Sequence, residues 1–486
     1  MSGLVRASAI YTLSSILPKV GAVFLVPIYV QALSPDEYGT VALLTTLIGL
    51  LTVVYRLGMD GSLMRLHFDT TGRGQSLLYG SATLLTLAIG LGATVLLVAA
   101  AQLVFDLIPG DIPFFPLGLL AIGTALASSI GFVPSVYFRA TRQALTFAVF
   151  NLGGFALTSG AVLFLLLALR LGPAGVMAGH LISAAVMFLV TVVVVVKLGP
   201  LRIRRDAVDS LLAIGLPLVP HAISAWALRL LDRWLIGLFI GLPAVQALAA
   251  IGAYSLGYQI GSVVTLLVTS FNQAWSPYFY GIAQMKRAPR LYRQMVTVVL
   301  AGTFVVAVGL SVLSRDIVDV IARPGYEAAA DVIAVVALGA VVYAFYTMFV
   351  VALFVAKRTR RLALVTFASV VVNVILNALL IPIIGILGAA WATVGSYAFF
   401  AVATYLYGRG MYPISVDGPR LALAAAGGLL VVFIARAIQP ADLLLAVAAH
   451  GGLAAAYALG VLALVVGPIR EVASLSRELR DERRAS

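Results

Sequence analysis

Residues Leu211 to Gly241 read LLAIGLPLVPHAISAWALRLLDRWLIGLFIG. The stretch is long and apolar enough to span a bilayer, yet it holds Pro217, Pro220, His221, Arg229, Asp232 and Arg233. A charge at the centre of a membrane helix costs roughly 2.5–3.5 kcal/mol on insertion scales. Three charges in one span therefore point to a use inside the membrane. The two prolines weaken the start of the helix and supply a bend.

The rest of the chain is of the same kind. Of 486 residues 62% are hydrophobic and 10% charged, and the mean hydropathy is +1.08. Soluble domains carry about 25% charged residues, so this chain belongs in lipid. Apolar runs of helix length recur throughout without the ten-residue alternation of an outer-membrane barrel. They predict about fourteen helices, near 8–33, 38–57, 77–105, 114–137, 145–169, 174–196, 211–240, 248–274, 294–314, 330–355, 362–383, 386–407, 419–437 and 442–468. The first run is too long for a signal-peptide core and reads as a retained span. There is no cysteine, which excludes disulfides and thiol chemistry.

A net charge of +13 raises the possibility of a nucleic-acid partner, and its placement removes it. When connections alternate between two sides, nearly all cations fall on the side of the N-terminus. They are Arg6; Arg56, Arg65 and Arg73; Arg139 and Arg142; Lys197, Arg202, Arg204 and Arg205; Lys286, Arg287, Arg290 and Arg293; Lys357, Arg358, Arg360 and Arg361; Arg409 and Arg420; and the tail after Pro468. The other side holds only Arg170, Arg315, Arg323 and Arg436, and the spans hold Lys19, Arg229 and Arg233. By the positive-inside rule both termini are cytoplasmic, which requires an even number of spans. The charge is topological, set by insertion and by contact with anionic membrane lipids. The tail, IREVASLSRELRDERRAS, reads as a short solvated amphipathic helix. The outer connections are too short to form a domain, and the only outer acids of the first half are Asp36, Glu37, Asp106 and Asp111. That leaves little room for a membrane glycosyltransferase or ligase, which places its catalytic groups on a sizeable outer loop.

A weak internal repeat orders the helices. A shift of 213 residues places Gly172 on Gly385, Gly175 on Gly388 and Ser183 on Ser396. Helices 5 and 6 then recur as 11 and 12, and helix 1 corresponds to helix 7. The expected domains are an N-terminal lobe over 1–206, a C-terminal lobe over 207–410, and a terminal helix pair with a basic tail over 411–486. Polar residues run in stripes along several spans: Ser8, Thr12, Ser15 and Lys19 in helix 1; His221, Ser224, Arg229 and Asp232, with Arg233 at the margin, in helix 7. Helix 8 carries Tyr254, Tyr258, Ser262, Thr265, Thr269 and Asn272, and helix 11 carries Thr366, Ser369, Asn373 and Asn377. Such stripes face other helices or water rather than lipid. Lys19, Arg229 and Arg233 outnumber the one intramembrane acid, Asp232. The interior is thus electropositive and suited to an anionic substrate, with Arg56 extending it or snorkelling to the surface. Asp232 either neutralises Arg229 one turn away or serves as a coupling acid.

Several segments carry a resemblance: LSPDEYG at Leu33–Gly39, GLPLVP at Gly215–Pro220, LDR at Leu231–Arg233, IGAYSL at Ile251–Leu256 and FNQAWSPY at Phe271–Tyr278, followed by Asn373, Asn377, Ile381, Pro382, Gly385 and GAA at Gly388–Ala390. Together they resemble the bacterial polysaccharide-unit flippases, the O-antigen and exopolysaccharide branch of the multidrug/oligosaccharidyl-lipid/polysaccharide exporter superfamily. The resemblance implies an all-α polytopic protein of the cytoplasmic (inner) membrane, with two six-helix lobes around a central cavity. It implies alternating access and a cargo of undecaprenyl-pyrophosphate-linked glycan for O-antigen (lipopolysaccharide), capsule or exopolysaccharide synthesis. A polysaccharide polymerase and a chain-length regulator would be partners. No cofactor or metal is implied; coupling would be to Na+, H+ or the membrane potential. Two departures stand out. Lipid II flippases of the superfamily carry an arginine–aspartate pair in helix 1, where Lys19 here stands alone. The acid that drug exporters often use in the first lobe is missing.

The expected site comprises Lys19, Arg229 and Arg233, with Arg56, on the pyrophosphate or acidic sugars, and Tyr254, Tyr258, Asn272, Asn373 and Asn377 on hydroxyls. Asp232 is the charge partner or coupling group. Lipid II flipping and cation-coupled drug export are the alternatives within the superfamily; a membrane glycosyltransferase or a non-transporting scaffold would be alternatives outside it.

Overall fold

The computed structural model describes residues 2–356, 360–413, 415–438, 440 and 442–485; the side chains of 2–9, 274, 277, 360, 361 and 480–485 are outside the described set. Ser8 of the helix 1 stripe and the inner cations Arg6, Lys357, Arg358, Arg360, Arg361, Arg480, Arg483 and Arg484 therefore lie outside it. Among the described residues fourteen helices are long and apolar enough to cross a membrane. They are α1 Ile10–Ala32, α2 Pro35–Asp69, α3 Arg73–Ala99, α4 Phe114–Ala140, α5 Ala144–Ala168, α6 Gly172–Leu198 and α7 Arg205–Leu230. There follow α8 Ala244–Tyr280, α9 Ala288–Val312, α10 Ala329–Val355, α11 Leu362–Ile384, α12 Ile386–Gly408, α13 Gly418–Ala437 and α14 Leu443–Leu479. The chain is an all-α, multi-pass membrane protein, and no strand occurs among the described residues.

Two compact units form, Met1–Gly252 and Ala253–Ser486. They do not coincide with the segments 1–206, 207–410 and 411–486 expected from charge and repeat. The reason is packing. Ala207 and Leu211 of α7 share one apolar core with Met59 and Leu63 of α2, Leu78 and Tyr79 of α3, Val133 of α4 and Val195 of α6. Gly58, at φ 71°, interrupts α2 where α7 crosses it. A Cβ there would stand 2.3 Å from the Gly215 carbonyl oxygen, so the two backbones touch only because no side chain intervenes. In the second unit α13 and α14 pack on α9 through Ala301, Val308, Ala424, Tyr457 and Val461 rather than standing apart.

Helix ends and breaks follow from residue chemistry. Pro35 begins α2, and the Ser34 N–H donates to Glu37 Oε2 at 2.9 Å, which closes the first turn. Pro217 lacks an N–H, and the chain tightens into a 3-10 turn at Leu216–Leu218 before resuming at Val219. A turn residue, Leu231, then separates α7 from a short helix, Asp232–Phe239, so the run 211–240 is two helices rather than one.

Helix α4 is broken by a 3-10 turn at Ser129–Gly131. In hydrocarbon a carbonyl freed by such a break must find a donor. Arg56 supplies it: Nε donates to the Ser129 carbonyl at 3.0 Å and Nη2 to that of Ser128 at 3.0 Å. Its third arm reaches Asp60 at 3.3 Å, and the guanidinium lies 5.5 Å from the Phe132 ring centre. Arg56 is a clamp across the break, with three of its donors engaged.

The internal repeat has a physical counterpart. Gly172 and Gly385 take φ of 54° and 60°, which only glycine adopts freely, at the starts of α6 and α12. Eleven residues later Ser183 Oγ sits 2.6 Å from Thr158 Oγ1 of α5. Its counterpart, Ser396, is approached at 3.5 Å by Asn373 Nδ2 of α11. Each pair is a helical hairpin with a polar contact at this serine.

The C-terminal tail departs from expectation. Helix α14 runs through Pro468 to Ala485 without interruption. Leu475 and Leu479 are buried with Leu291 and Tyr292 of α9, Tyr412 and Leu421. Glu471 pairs with Arg290 and Glu478 with Arg287, and Gln294 Nε2 donates to Glu471 at 2.8 Å. The tail is packed, not solvated, because Val472, Leu475 and Leu479 form an apolar stripe that the N-terminal part of α9 covers. Outside the spans, burial pushes the Tyr412 hydroxyl up to about 12, and it donates to the Ala283 carbonyl at 3.3 Å.

Two outcomes are expected from thermal unfolding of the purified protein in detergent. Leu479→Ala should cost about 2–5 kcal/mol, as for other buried leucines, whereas Glu478→Gln should cost no more than about 1 kcal/mol because that pair is half exposed. Arg56→Ala bares two carbonyls at about 1–3 kcal/mol each, and Arg56→Lys should recover only part of the loss, since an ammonium cannot fork across both. Melting of Arg56→Ala at the wild-type temperature would remove the clamp.

Candidate substrate-binding site

The intramembrane charges fall into two groups. Asp232 is fully enclosed and Arg233 is 7% exposed. Arg233 Nη1 donates to the Arg229 carbonyl at 3.2 Å, and its charge acts on Tyr38 at the start of α2. The two neighbours together carry no net charge, which is how a low-dielectric interior tolerates them. Around them Trp226 Nε1 donates to the Thr46 carbonyl at 3.2 Å, and the Trp226 and Trp234 rings meet edge-on with centres 6.5 Å apart. This end of α7 is thus fastened to α2 by an indole.

Lys19 and Arg229 behave differently. Both are exposed, and among the described residues neither is in an ion pair. Arg229 Nε turns back to the Ala225 carbonyl of its own helix at 3.0 Å, so its described contact is not with Asp232. Lys19 lies on a helix where Ser14 and Ser15 bond to the Tyr11 carbonyl. Of the three cations expected within the membrane, Lys19 and Arg229 are the exposed ones.

The remaining expected residues are placed as follows. Arg56 is spent on the α4 break. Tyr254 is fully buried, Tyr258 is half-buried, and their rings are 5.8 Å apart. Asn272 accepts a hydrogen bond from Ser276 Oγ at 2.8 Å within α8 and is half-buried. Asn373 and Asn377 are enclosed between α11 and α12, Asn377 Nδ2 donating to the Asn373 carbonyl at 2.9 Å. Asn373 Nδ2 also approaches Ser396 Oγ of α12 at 3.5 Å. Two apolar recesses of the second unit, about 560 Å³ beside Phe345, Phe349 and Tyr405 and about 290 Å³ beside Leu267, Phe271 and Met295, are lined by none of these residues. Among the described residues no group of three or more His, Asp and Glu is placed to hold a metal ion.

Sequence reasoning passed over one polar pair. His450, in α14, meets Asp316 of the helix Ser314–Ile321, Nδ1 to Oδ2 at 2.6 Å. The two are 134 residues apart, and His450 sits alone in an apolar run, so no spacing signal joins them.

Comparison with known proteins agrees with this architecture. Residues 30–324 match the family described as Polysaccharide biosynthesis protein. No curated protein matches the chain. Among solved structures, the lipid II flippase MurJ in an inward closed conformation is similar with a TM-score of 0.72 at 14% identity, over 92% of this chain and 98% of that one. An inward-facing multidrug resistance MATE family transporter of the MOP superfamily gives 0.56 at 14% identity, over 83% and 94%. An outward-facing structure of that kind gives 0.55 at 16% identity, over 84% and 94%. These likenesses establish the fold. The chain belongs to the polysaccharide biosynthesis protein family and is built on the membrane fold that MurJ and the MATE transporters share.

Proposed function

We propose that the protein is a flippase that carries an undecaprenyl-pyrophosphate-linked oligosaccharide from the inner to the outer leaflet of the bacterial cytoplasmic membrane. The glycan would serve O-antigen, capsule or exopolysaccharide synthesis. The observation that carries this reading is the exposure of Lys19 and Arg229, without ion-pair partners among the described residues, on spans that are otherwise apolar. Such charges cost roughly 2.5–3.5 kcal/mol each in lipid, and a diphosphate cannot enter hydrocarbon unaided. A cation that waits for an anionic headgroup answers both costs. The family and the MurJ-like fold support a lipid-linked glycan as the cargo.

Both termini face the cytoplasm in this reading, because the cations gather on that side. The repeated hairpins α5–α6 and α11–α12 support six-helix lobes, 1–206 and 207–410, as the parts that move, with the bend at Pro217 as a joint. Arg233 and Asp232 fix the far end of α7, and coupling to Na+, H+ or membrane potential acts on the lobes. Arg56, Asn373 and Asn377 hold helices together rather than contact cargo. A polymerase and a chain-length regulator would act on the delivered unit. Lipid II is the second reading, favoured by the higher similarity to MurJ than to the MATE structures.

In proteoliposomes loaded with a fluorescent lipid-linked oligosaccharide, Lys19→Ala and Arg229→Ala should each slow flipping about tenfold or more, the worth of one charge-assisted contact. Lys19→Arg and Arg229→Lys should retain most of the rate. Alanine variants that flip at the wild-type rate would remove both residues from the mechanism. A wild-type protein that moves lipid II but no sugar-unit lipid would establish the second reading instead.

A further inference from the structure

His450 has a constrained environment. Its side chain and that of Asp316 are 8% and 7% exposed. Nδ1 faces the Asp316 carboxylate at 2.6 Å, while Nε2 faces the carbonyls of Ala435 at 3.3 Å and Ile438 at 3.1 Å. A carboxylate and a carbonyl are both acceptors, and a neutral imidazole has only one N–H. With Asp316 ionised, neither neutral tautomer satisfies this arrangement, whereas the doubly protonated ring satisfies all of it. The fold supports the same charge assignment independently. Ala435 and Ile438 end α13, where unpaired carbonyls favour a cation, and Asp316 lies in the first turn of Ser314–Ile321, where N–H groups favour an anion.

We infer that His450 is held as an imidazolium and that its pair with Asp316 is a pH-sensitive latch joining α13, α14 and the helix Ser314–Ile321. With the orientation proposed above, the latch lies at the outer ends of these helices and reads the pH of the outer compartment. Loss of the proton sets a bare ring nitrogen against an acceptor and leaves the Asp316 charge buried without its counter-ion. The three helices then lose the polar contact that unites them.

The neighbouring charges do not duplicate this role. On the short helix Arg315 and Asp319 are exposed. Arg436 of α13 is paired at 3.1 Å with Asp331 of α10. Asp442, before α14, is exposed and accepts from the Leu445 N–H at 3.1 Å. The last two turns of α9 carry no titratable side chain. The apolar contacts of α13 and α14 with α9 are indifferent to pH, so the latch governs the outer ends and not the whole assembly.

The test uses the full chain in nanodiscs. It has four histidines and no cysteine, so labels can be placed without background. With [15N]histidine, the His450 ring, assigned by loss of its signals in His450→Gln, should show two protonated nitrogens at about pH 6, below the ordinary histidine value. Spin labels at Val320→Cys and Leu444→Cys, both exposed, report the separation of the short helix from α14. Their distance distribution should be narrow at about pH 6 and broaden at about pH 9. In His450→Gln and in Asp316→Asn the distribution should no longer respond to pH. Should His450→Gln not fold, glutamine at His67, His180 and His221 leaves His450 as the sole signal. A ring with one protonated nitrogen at about pH 6, or a pH response unchanged in both variants, would overturn the proposal.

Discussion

Hydrocarbon offers no hydrogen bonds, and most particulars of this structure answer that one constraint. A span that stays helical satisfies itself. Wherever the chain departs from the helix, a side chain has to take the place of water. Arg56 does this for the two carbonyls freed where α4 breaks, and His450 does it for the carbonyls that end α13. In each unit a cation therefore serves the backbone before it serves anything else. Against that background the charges that serve no backbone break stand out, and Lys19 and Arg229 are the ones that remain exposed. Their exposure, more than their number, is what points to an anionic partner.

The same logic separates Asp232 and Arg233 from their neighbour Arg229. Adjacent opposite charges can be enclosed together because their sum is zero. Enclosed, they fix the end of α7 against α2 beside the Trp226–Thr46 contact. The segment that carries the most charge is thus in part an anchor, with only one residue turned outward. The prolines upstream allow the helix to bend above this anchor, and the 3-10 turn at Leu216–Leu218 marks where it does so.

Much of the architecture was legible in the residues, because membrane helices announce themselves by composition. The spacing of Gly172 and Gly385 correctly marked two equivalent hairpins, since a left-handed backbone position has few solutions other than glycine. Polarity alone does not fix a residue's role. Asn373 and Asn377 share a stripe with other polar groups, but a stripe fits a cavity wall and a helix–helix seam equally well, and they occupy the seam. Arg56 looked like a snorkelling or cavity charge because nothing in the sequence marks α4 as broken at Ser129. The packed tail was readable in principle from Val472, Leu475 and Leu479, but the surrounding arginines and glutamates suggested solvent. Its ion pairs with Arg287 and Arg290 depend on a fold the local sequence does not describe. His450 and Asp316 were beyond reach, two polar residues joined only by tertiary structure.

The central claim is that exposed cations within the membrane recognise the phosphate-bearing headgroup of a lipid-linked glycan. Its most direct test compares cargoes on the wild-type protein. Proteoliposomes would receive two lipids with the same oligosaccharide and isoprenoid chain, one joined through pyrophosphate and the other through a neutral ether. The account predicts that protein-dependent flipping is confined to the pyrophosphate lipid and that free inorganic pyrophosphate slows it. Equal transport of the neutral analogue would contradict it.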